Sequence, residues 1–276
     1  MITGIIGTGN MGTILIQSLI GSSAVAAKDV IIMNRTKHKA QSLAVELPGI
    51  HVAHTSIELA KQADLIFLCV KPHEMYPLIE ILEPHLSSDN CIVSITSPIS
   101  IKQLEAVVPC SCARFIPSIT NRALSGATLL TFGESCSPYW RNQLQQMAAA
   151  ISKPLEIDNK YTRVSSDIVS CGPAFFSFIA RNFIEAAVDH TGISTEEATQ
   201  LTESMLIGLG ELLRQQHFSL PALQEKVCVK GGITGEGIKV LENELGEVFS
   251  HVFQATHRKF EEDLKGIENQ FGVSYH

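Results

Sequence analysis

The first dozen residues constrain this chain most. Ile2-Thr3-Gly4-Ile5-Ile6 reads as a short buried strand, and Gly7-Thr8-Gly9-Asn10-Met11-Gly12 follows it directly. Ile14, Leu15, Ser18 and Leu19 then lie on one helical face. Gly7, Gly9 and Gly12 stand at GxGxxG spacing. In such a turn the first glycine permits the tight bend and the second lets the backbone approach a pyrophosphate. The third lets the helix pack close to the strand. Asn10 and Met11 open the helix, where unpaired N–H groups and a partial positive charge suit an anion. GxGxxG also occurs in turns that bind nothing. The strand before it and the helix after it favour a dinucleotide site.

Val30-Ile31-Ile32-Met33 is a second apolar run of strand length, followed by Asn34-Arg35-Thr36-Lys37-His38-Lys39. A site for NAD carries an Asp or Glu near this position to hold the ribose 2′-OH. None is present. Arg35 and Lys37 instead offer charge to a 2′-phosphate, with Asn34 and Thr36 as hydrogen-bond donors. The expected cofactor is therefore NADP(H).

Strand-like and helix-like segments then alternate. His51–Ala53, 65–70, 91–95, 112–116, 127–132 and 155–157 read as strands. Segments 56–63, 74–86, 100–107 and 139–150 read as helices. This alternation predicts a doubly wound, Rossmann-type α/β sheet over residues 1–160. From 161 to 276 no strand is expected, and the predicted second domain is all-helical. Phe175, Phe178, Ile179 and Phe183 recur at helical spacing, and Ser194 with Glu197 forms a capping box. Ile238, Leu241, Leu245, Val248, Phe249 and Val252 predict one long last helix running to about Leu264. These apolar stripes exceed what a small bundle needs for its own core, so a partner subunit is expected to cover the rest.

Composition narrows the classes. The chain has 276 residues, is 45% hydrophobic and carries a formal net charge of −7. With no long basic run, nucleic acid is not an expected partner. No apolar stretch is long enough to span a bilayer, and no charged segment precedes the first strand as in a signal peptide. A cytoplasmic protein is expected. The seven cysteines are scattered, and Cys110-x-Cys112 lacks zinc-ligand spacing, so reduced thiols and no metal site are expected.

Ligands of a doubly wound sheet bind beyond the carboxyl ends of its strands. Cys69-Val70-Lys71-Pro72 and Arg114-Phe115-Ile116-Pro117-Ser118 both end a strand there. Each could line a nicotinamide ribose or simply form a rigid turn. In the second domain, Val229-Lys230-Gly231-Gly232-Ile233-Thr234-Gly235 precedes a helix. Its backbone N–H groups could seat a carboxylate, and the Thr234 hydroxyl could meet a ring nitrogen. A flexible turn is the alternative. Ser170-Cys171-Gly172-Pro173 reads as a turn that opens another helix. No His–Asp–Ser set or close carboxylate pair stands out. Hydride transfer to an imine fits such a site, because a protonated C=N is already electrophilic and the protein mainly aligns the reactants.

Gly7–Gly12, Asn34-Arg35-Thr36, Val70-Lys71-Pro72, Gly172-Pro173-Ala174-Phe175 and Gly231-Gly232-x-Thr234 occur in this order. Together, over roughly residues 2–265, they resemble the pyrroline-5-carboxylate reductase family. The resemblance implies NADPH-dependent reduction of the small cyclic imine 1-pyrroline-5-carboxylate to proline. It also implies a homodimer or larger homo-oligomer interlocked through the C-terminal helices. On this resemblance Gly231, Gly232 and Ile233 would hold the substrate carboxylate, beside Val229 and Lys230. Thr234 would be the catalytic contact to the imine nitrogen. Gly7, Gly9, Asn10, Met11 and Gly12 would hold the pyrophosphate. Asn34, Arg35 and Thr36 would hold the 2′-phosphate, and Val70, Lys71 and Pro72 would flank the nicotinamide ribose.

Three departures cluster at the substrate end. Val229-Lys230 replaces the family's Ser/Thr-Pro, Ser118 replaces an Asn after Pro117, and Ile233-Thr234 has one hydroxyl where the family has two. One lost hydrogen bond to a charged group costs about 1.5–3 kcal/mol, roughly ten- to a hundredfold in affinity. The pattern is similar to the divergent late-competence ComER-type branch. A catalytically weak regulatory paralogue that keeps NADPH binding is therefore the alternative reading. A β-hydroxyacid dehydrogenase would want a catalytic lysine on a second-domain helix, and Lys160 and Lys226 are poorly placed for that role.

Overall fold

The computed structural model describes residues 1–275. Eight strands form one sheet: β1 (Thr3–Ile6), β2 (Val30–Met33), β3 (His51–Val52), β4 (Leu65–Leu68), β5 (Cys91–Ser94), β6 (Ser111–Ile116), β7 (Ala127–Phe132) and β8 (Lys153–Glu156). Their spatial order is β3-β2-β1-β4-β5-β6-β7-β8. Neighbours run parallel except β6 and β7. That pair is antiparallel because the connection 117–126 is too short for a crossover helix. The strand order reverses between β1 and β4, and their carboxyl ends open the crevice where ligands bind in such sheets.

Six helices cover the sheet: α1 (Asn10–Gly21), α2 (Lys37–Glu46), α3 (Ser56–Ala60), α4 (Pro72–Leu82), α5 (Ile101–Glu105) and α6 (Pro138–Ile151). On one face Leu15 and Leu19 of α1 and Leu144 of α6 pack with Ile5, Phe67 and Phe115 of the strands. On the other, Leu59, Met75, Ile79 and Leu104 pack with Ile6, Ile66 and Ile92. Strand β4 is wholly buried, as its unbroken apolar run requires of a central parallel strand.

The remaining helices are α7 (Thr162–Ser166), α8 (Gly172–Thr191), α9 (Thr195–Arg214), α10 (Leu220–Val227), α11 (Ile233–Leu245) and α12 (Val248–Phe271). The chain forms two compact units, divided elsewhere than at the expected 160/161 boundary. Residues 1–173 join the stretch from Ala255 onward in the first, and Ala174–Gln254 make the second. The end of α12 belongs with the sheet because Ile267 and Phe271 complete its second core, with Phe271 edge-on to Tyr76 at 4.9 Å.

Two sequence expectations need correction. The long last helix is broken: Gly246 adopts φ +41 between α11 and α12, a conformation that an L side chain rarely takes. The glycine-rich stretch at 229–235 therefore leads into α11, which begins at Ile233, and not into the longest helix. Nor is Ser170–Pro173 a turn. A π-helical turn, Asp167–Cys171, joins α7 to α8 without a break. Pro173 has no N–H for the carbonyl four residues before it, Val169. The buried Ser118 hydroxyl donates to that carbonyl at 2.8 Å, and the Ser170 hydroxyl donates to Pro117 O at 3.1 Å.

The second unit is helical, and the Ser194–Glu197 capping box is present. Large apolar side chains stand outward along α8 and α9, including Phe176 at 65% and Ile207 at 74% exposure. Among the described residues no helix is long and apolar enough to cross a membrane.

Candidate functional site

The turn after β1 is set by close backbone approach. Gly7 has φ +104, and a Cβ there would stand 2.4 Å from Cys69 O. A Cβ on Gly12 would stand 2.1 Å from Gly7 O and 3.2 Å from the Cys69 Cβ. At Gly9 a Cβ would meet nothing within 4 Å. Only Gly9 therefore leaves its space open toward the crevice. Asn10 and Met11 open α1, whose first turn holds no acidic residue.

A cleft of 610 Å³ gathers Gly7, Gly9, Asn34, Arg35, Thr36, Val70 and Lys71. Pro72 lies instead in an adjoining 350 Å³ hollow, with Lys71 and His73. Pro72 is the first residue of α4, where its missing N–H costs nothing, four residues after β4 ends at Leu68. Asn34 is committed locally: its Oδ1 accepts from Thr8 N–H at 3.1 Å and its Nδ2 donates to Thr36 O at 3.1 Å. It thereby fixes the glycine turn against the end of β2. The Arg35 side chain is 88% exposed on the cleft.

The cleft holds Cys69, as its place after β4 suggested, and also residues that sequence reasoning gave no site role: Lys39, Ser56 and Glu74. Glu74 comes from the first turn of α4. Its Oε1 pairs with Arg35 Nη1 at 2.7 Å, and its Oε2 accepts from Lys71 N–H at 3.3 Å. Burial raises the Glu74 carboxyl, but the Lys71 N–H and the Arg35 guanidinium outweigh it and hold the group below its ordinary range. A helix opened by Pro72 with Glu at the third position was the available signal. Burial pushes the Cys69 thiol well up, so it stays protonated.

The open space over Gly9, the helix start and Arg35 with its flanking donors fit a phosphorylated dinucleotide. The Thr8 hydroxyl, buried with no protein partner, adds a polar atom to the turn.

The second strand end has another role. Arg114 is fully buried and structural. Its Nη1 donates to Ile99 O and to the Tyr275 hydroxyl, each at 3.1 Å, and its Nη2 to Asn159 Oδ1 at 2.9 Å and to Thr162 Oγ1. Ser118 likewise serves Val169. Neither side chain lines the cleft.

The proposed substrate residues lie in the other compact unit. Gly231 has φ +75, and Gly232 caps α11 with its own backbone. Ile233 and Thr234 follow as the first helical residues, so their N–H groups have no intrahelical partner. Thr234 is exposed, as are Val229 and Lys230, and Ile233 reaches 93% exposure. Among the described residues no group of three His, Cys, Asp or Glu side chains could hold a metal ion.

Fold and cleft define an oxidoreductase of the NADP-dependent, Rossmann-type class. Residues 2–98 match the family model described as NADP oxidoreductase, coenzyme F420-dependent, and residues 159–263 match pyrroline-5-carboxylate reductase dimerisation. ComE operon protein 4 of Bacillus subtilis is 49% identical over 98% of this chain and 99% of its own. Pyrroline-5-carboxylate reductase 3 of the same organism is 30% identical over 94% and 95%. The chain belongs to the pyrroline-5-carboxylate reductase family. Its fold is also that of the Plasmodium falciparum pyrroline carboxylate reductase solved with NADP bound (TM-score 0.82, 20% identity, 96% of this chain and 98% of that one).

Proposed function

We propose that this protein reduces 1-pyrroline-5-carboxylate to proline. When bound in the cleft, NADPH would supply a hydride for the imine carbon, the ring nitrogen being protonated. The residues would position the reactants. Gly7 and Gly9, with the start of α1 at Asn10, Met11 and Gly12, seat the pyrophosphate. Arg35 and Thr36 receive the 2′-phosphate, with Asn34 holding the turn, and Val70 and Lys71 shape the nicotinamide end, while Pro72 starts α4 beside it. The N–H groups of Gly231 and Ile233 hold the carboxylate, the expected Gly232 N–H being taken by Val229 O at 2.9 Å, and Thr234 meets the imine nitrogen.

The observation that carries this reading is the coexistence of two features in one chain. One is a dinucleotide cleft with Arg35 on it. The other is an exposed helix start at Gly231–Thr234, a seat for a small carboxylate. The exposed apolar faces of α8 and α9 and the match to a dimerisation model support a homodimer built through these helices.

A second reading is a catalytically weak regulator that retains NADPH binding. It is favoured by the higher identity to ComE operon protein 4 than to pyrroline-5-carboxylate reductase 3, and by Val229 and Lys230 beside the glycine loop. A steady-state assay with NADPH and pyrroline-5-carboxylate separates the two. Turnover that Thr234→Ala lowers at least tenfold, with NADPH affinity unchanged, supports the reductase. Tight NADPH binding with negligible turnover supports the regulator.

A further inference from the structure

Glu74 brings a carboxylate to the cleft from an unexpected direction. Sites that hold an unphosphorylated ribose carry their acid at the end of the second strand. Here Asn34 occupies that end, and the acid arrives on α4, after β4, two strands away in the sheet order β2-β1-β4. It holds Arg35, the residue expected to receive the 2′-phosphate, at 2.7 Å.

We propose that Glu74 is a cofactor-specificity residue. Its carboxylate competes with the 2′-phosphate for Arg35, so the site prefers NADPH over NADH less strongly than Arg35 alone would make it. Three features support this. The carboxylate is tethered independently of Arg35, because Oε2 accepts from Lys71 N–H. It therefore keeps its place when the guanidinium turns to another anion. The Lys71 N–H and Arg35 keep it ionised. Arg35 is exposed on the cleft, with donors left beyond the one Glu74 takes, so two anions would meet on one guanidinium. Exposed pairs of this kind are screened by water, which sets the effect at about two- to fivefold in affinity.

Glu74→Gln is the test. Gln keeps an acceptor for the Lys71 N–H and removes the charge, and a denaturant curve confirms the fold. NADPH and NADH dissociation constants are measured by nicotinamide fluorescence. Competition by adenosine 2′,5′-bisphosphate against AMP isolates the 2′ position. In the variant NADPH binding should tighten about two- to fivefold and NADH should change less than twofold. The same gain should appear for the bisphosphate and shrink at high salt. NADPH binding that is unchanged or weaker overturns the proposal, as does an equal change for both cofactors. The inference rests on Arg35 as the 2′-phosphate partner, which Arg35→Gln tests separately. If Arg35→Gln leaves the NADPH-to-NADH ratio intact, that assignment fails. If the ratio falls there and Glu74→Gln does nothing, only the role of Glu74 fails.

Discussion

Alanine at Gly9 should spare the fold and weaken NADPH binding, whereas alanine at Gly12 should damage the fold itself. Gly9 has φ −73 and ψ −171, an extended backbone open to any residue, and its added methyl would touch no protein atom within 4 Å. Alanine is a poorer N-cap than glycine by about 0.5–1 kcal/mol. The stiffer unfolded chain returns about 0.4–1 kcal/mol. Stability should therefore change by less than about 1 kcal/mol. The methyl would, however, fill the space over the turn that a pyrophosphate needs for its closest approach. A tenfold or greater loss of NADPH affinity, about 1.4 kcal/mol, is expected. At Gly12 the methyl would sit 2.1 Å from Gly7 O. That contact is with backbone, so α1 must move from β1 or the turn must distort, at about 1–3 kcal/mol. Urea denaturation followed by circular dichroism, beside fluorescence titration with NADPH, measures both quantities. Full NADPH affinity in Gly9→Ala, or wild-type stability in Gly12→Ala, would refute this division of labour among the glycines.

Ser118→Ala removes the hydroxyl that donates to Val169 O, the carbonyl that Pro173 cannot serve. A loss of about 1–3 kcal/mol is expected, read as a lower urea midpoint with unchanged slope. Val229→Ser combined with Lys230→Pro should raise turnover of pyrroline-5-carboxylate if these side chains cause a deficit. The measurement is kcat/KM, and no gain would mean that the loop is already competent.

Much of the first unit was legible because its signals are local. The continuous apolar run at 65–70 read as a central strand, of which β4 takes 65–68, and the glycine spacing pointed to the turn and the start of α1 together. The Ser194–Glu197 cap needs only residues three apart. The break at Gly246 was missed because apolar residues on both sides keep helical spacing across it, and the pattern is blind to one residue's φ. The turn expected at Ser170–Pro173 was wrong for a different reason. Proline usually marks a helix boundary, and here a side chain 51 positions away supplies the donor that the helix lacks.

The sequence by itself determined the α/β plan, the glycine turn into α1, the basic end of β2 and the helical character of the second half. All of these follow from periodicity and from residue types at short spacing. Tertiary structure alone decided which side chains meet. It placed Glu74 against Arg35 across 39 positions, buried Arg114 among neutral oxygens, and returned the end of α12 to the first unit. Such pairings depend on strand order and on how far each helix reaches past its strand, and no local pattern encodes either.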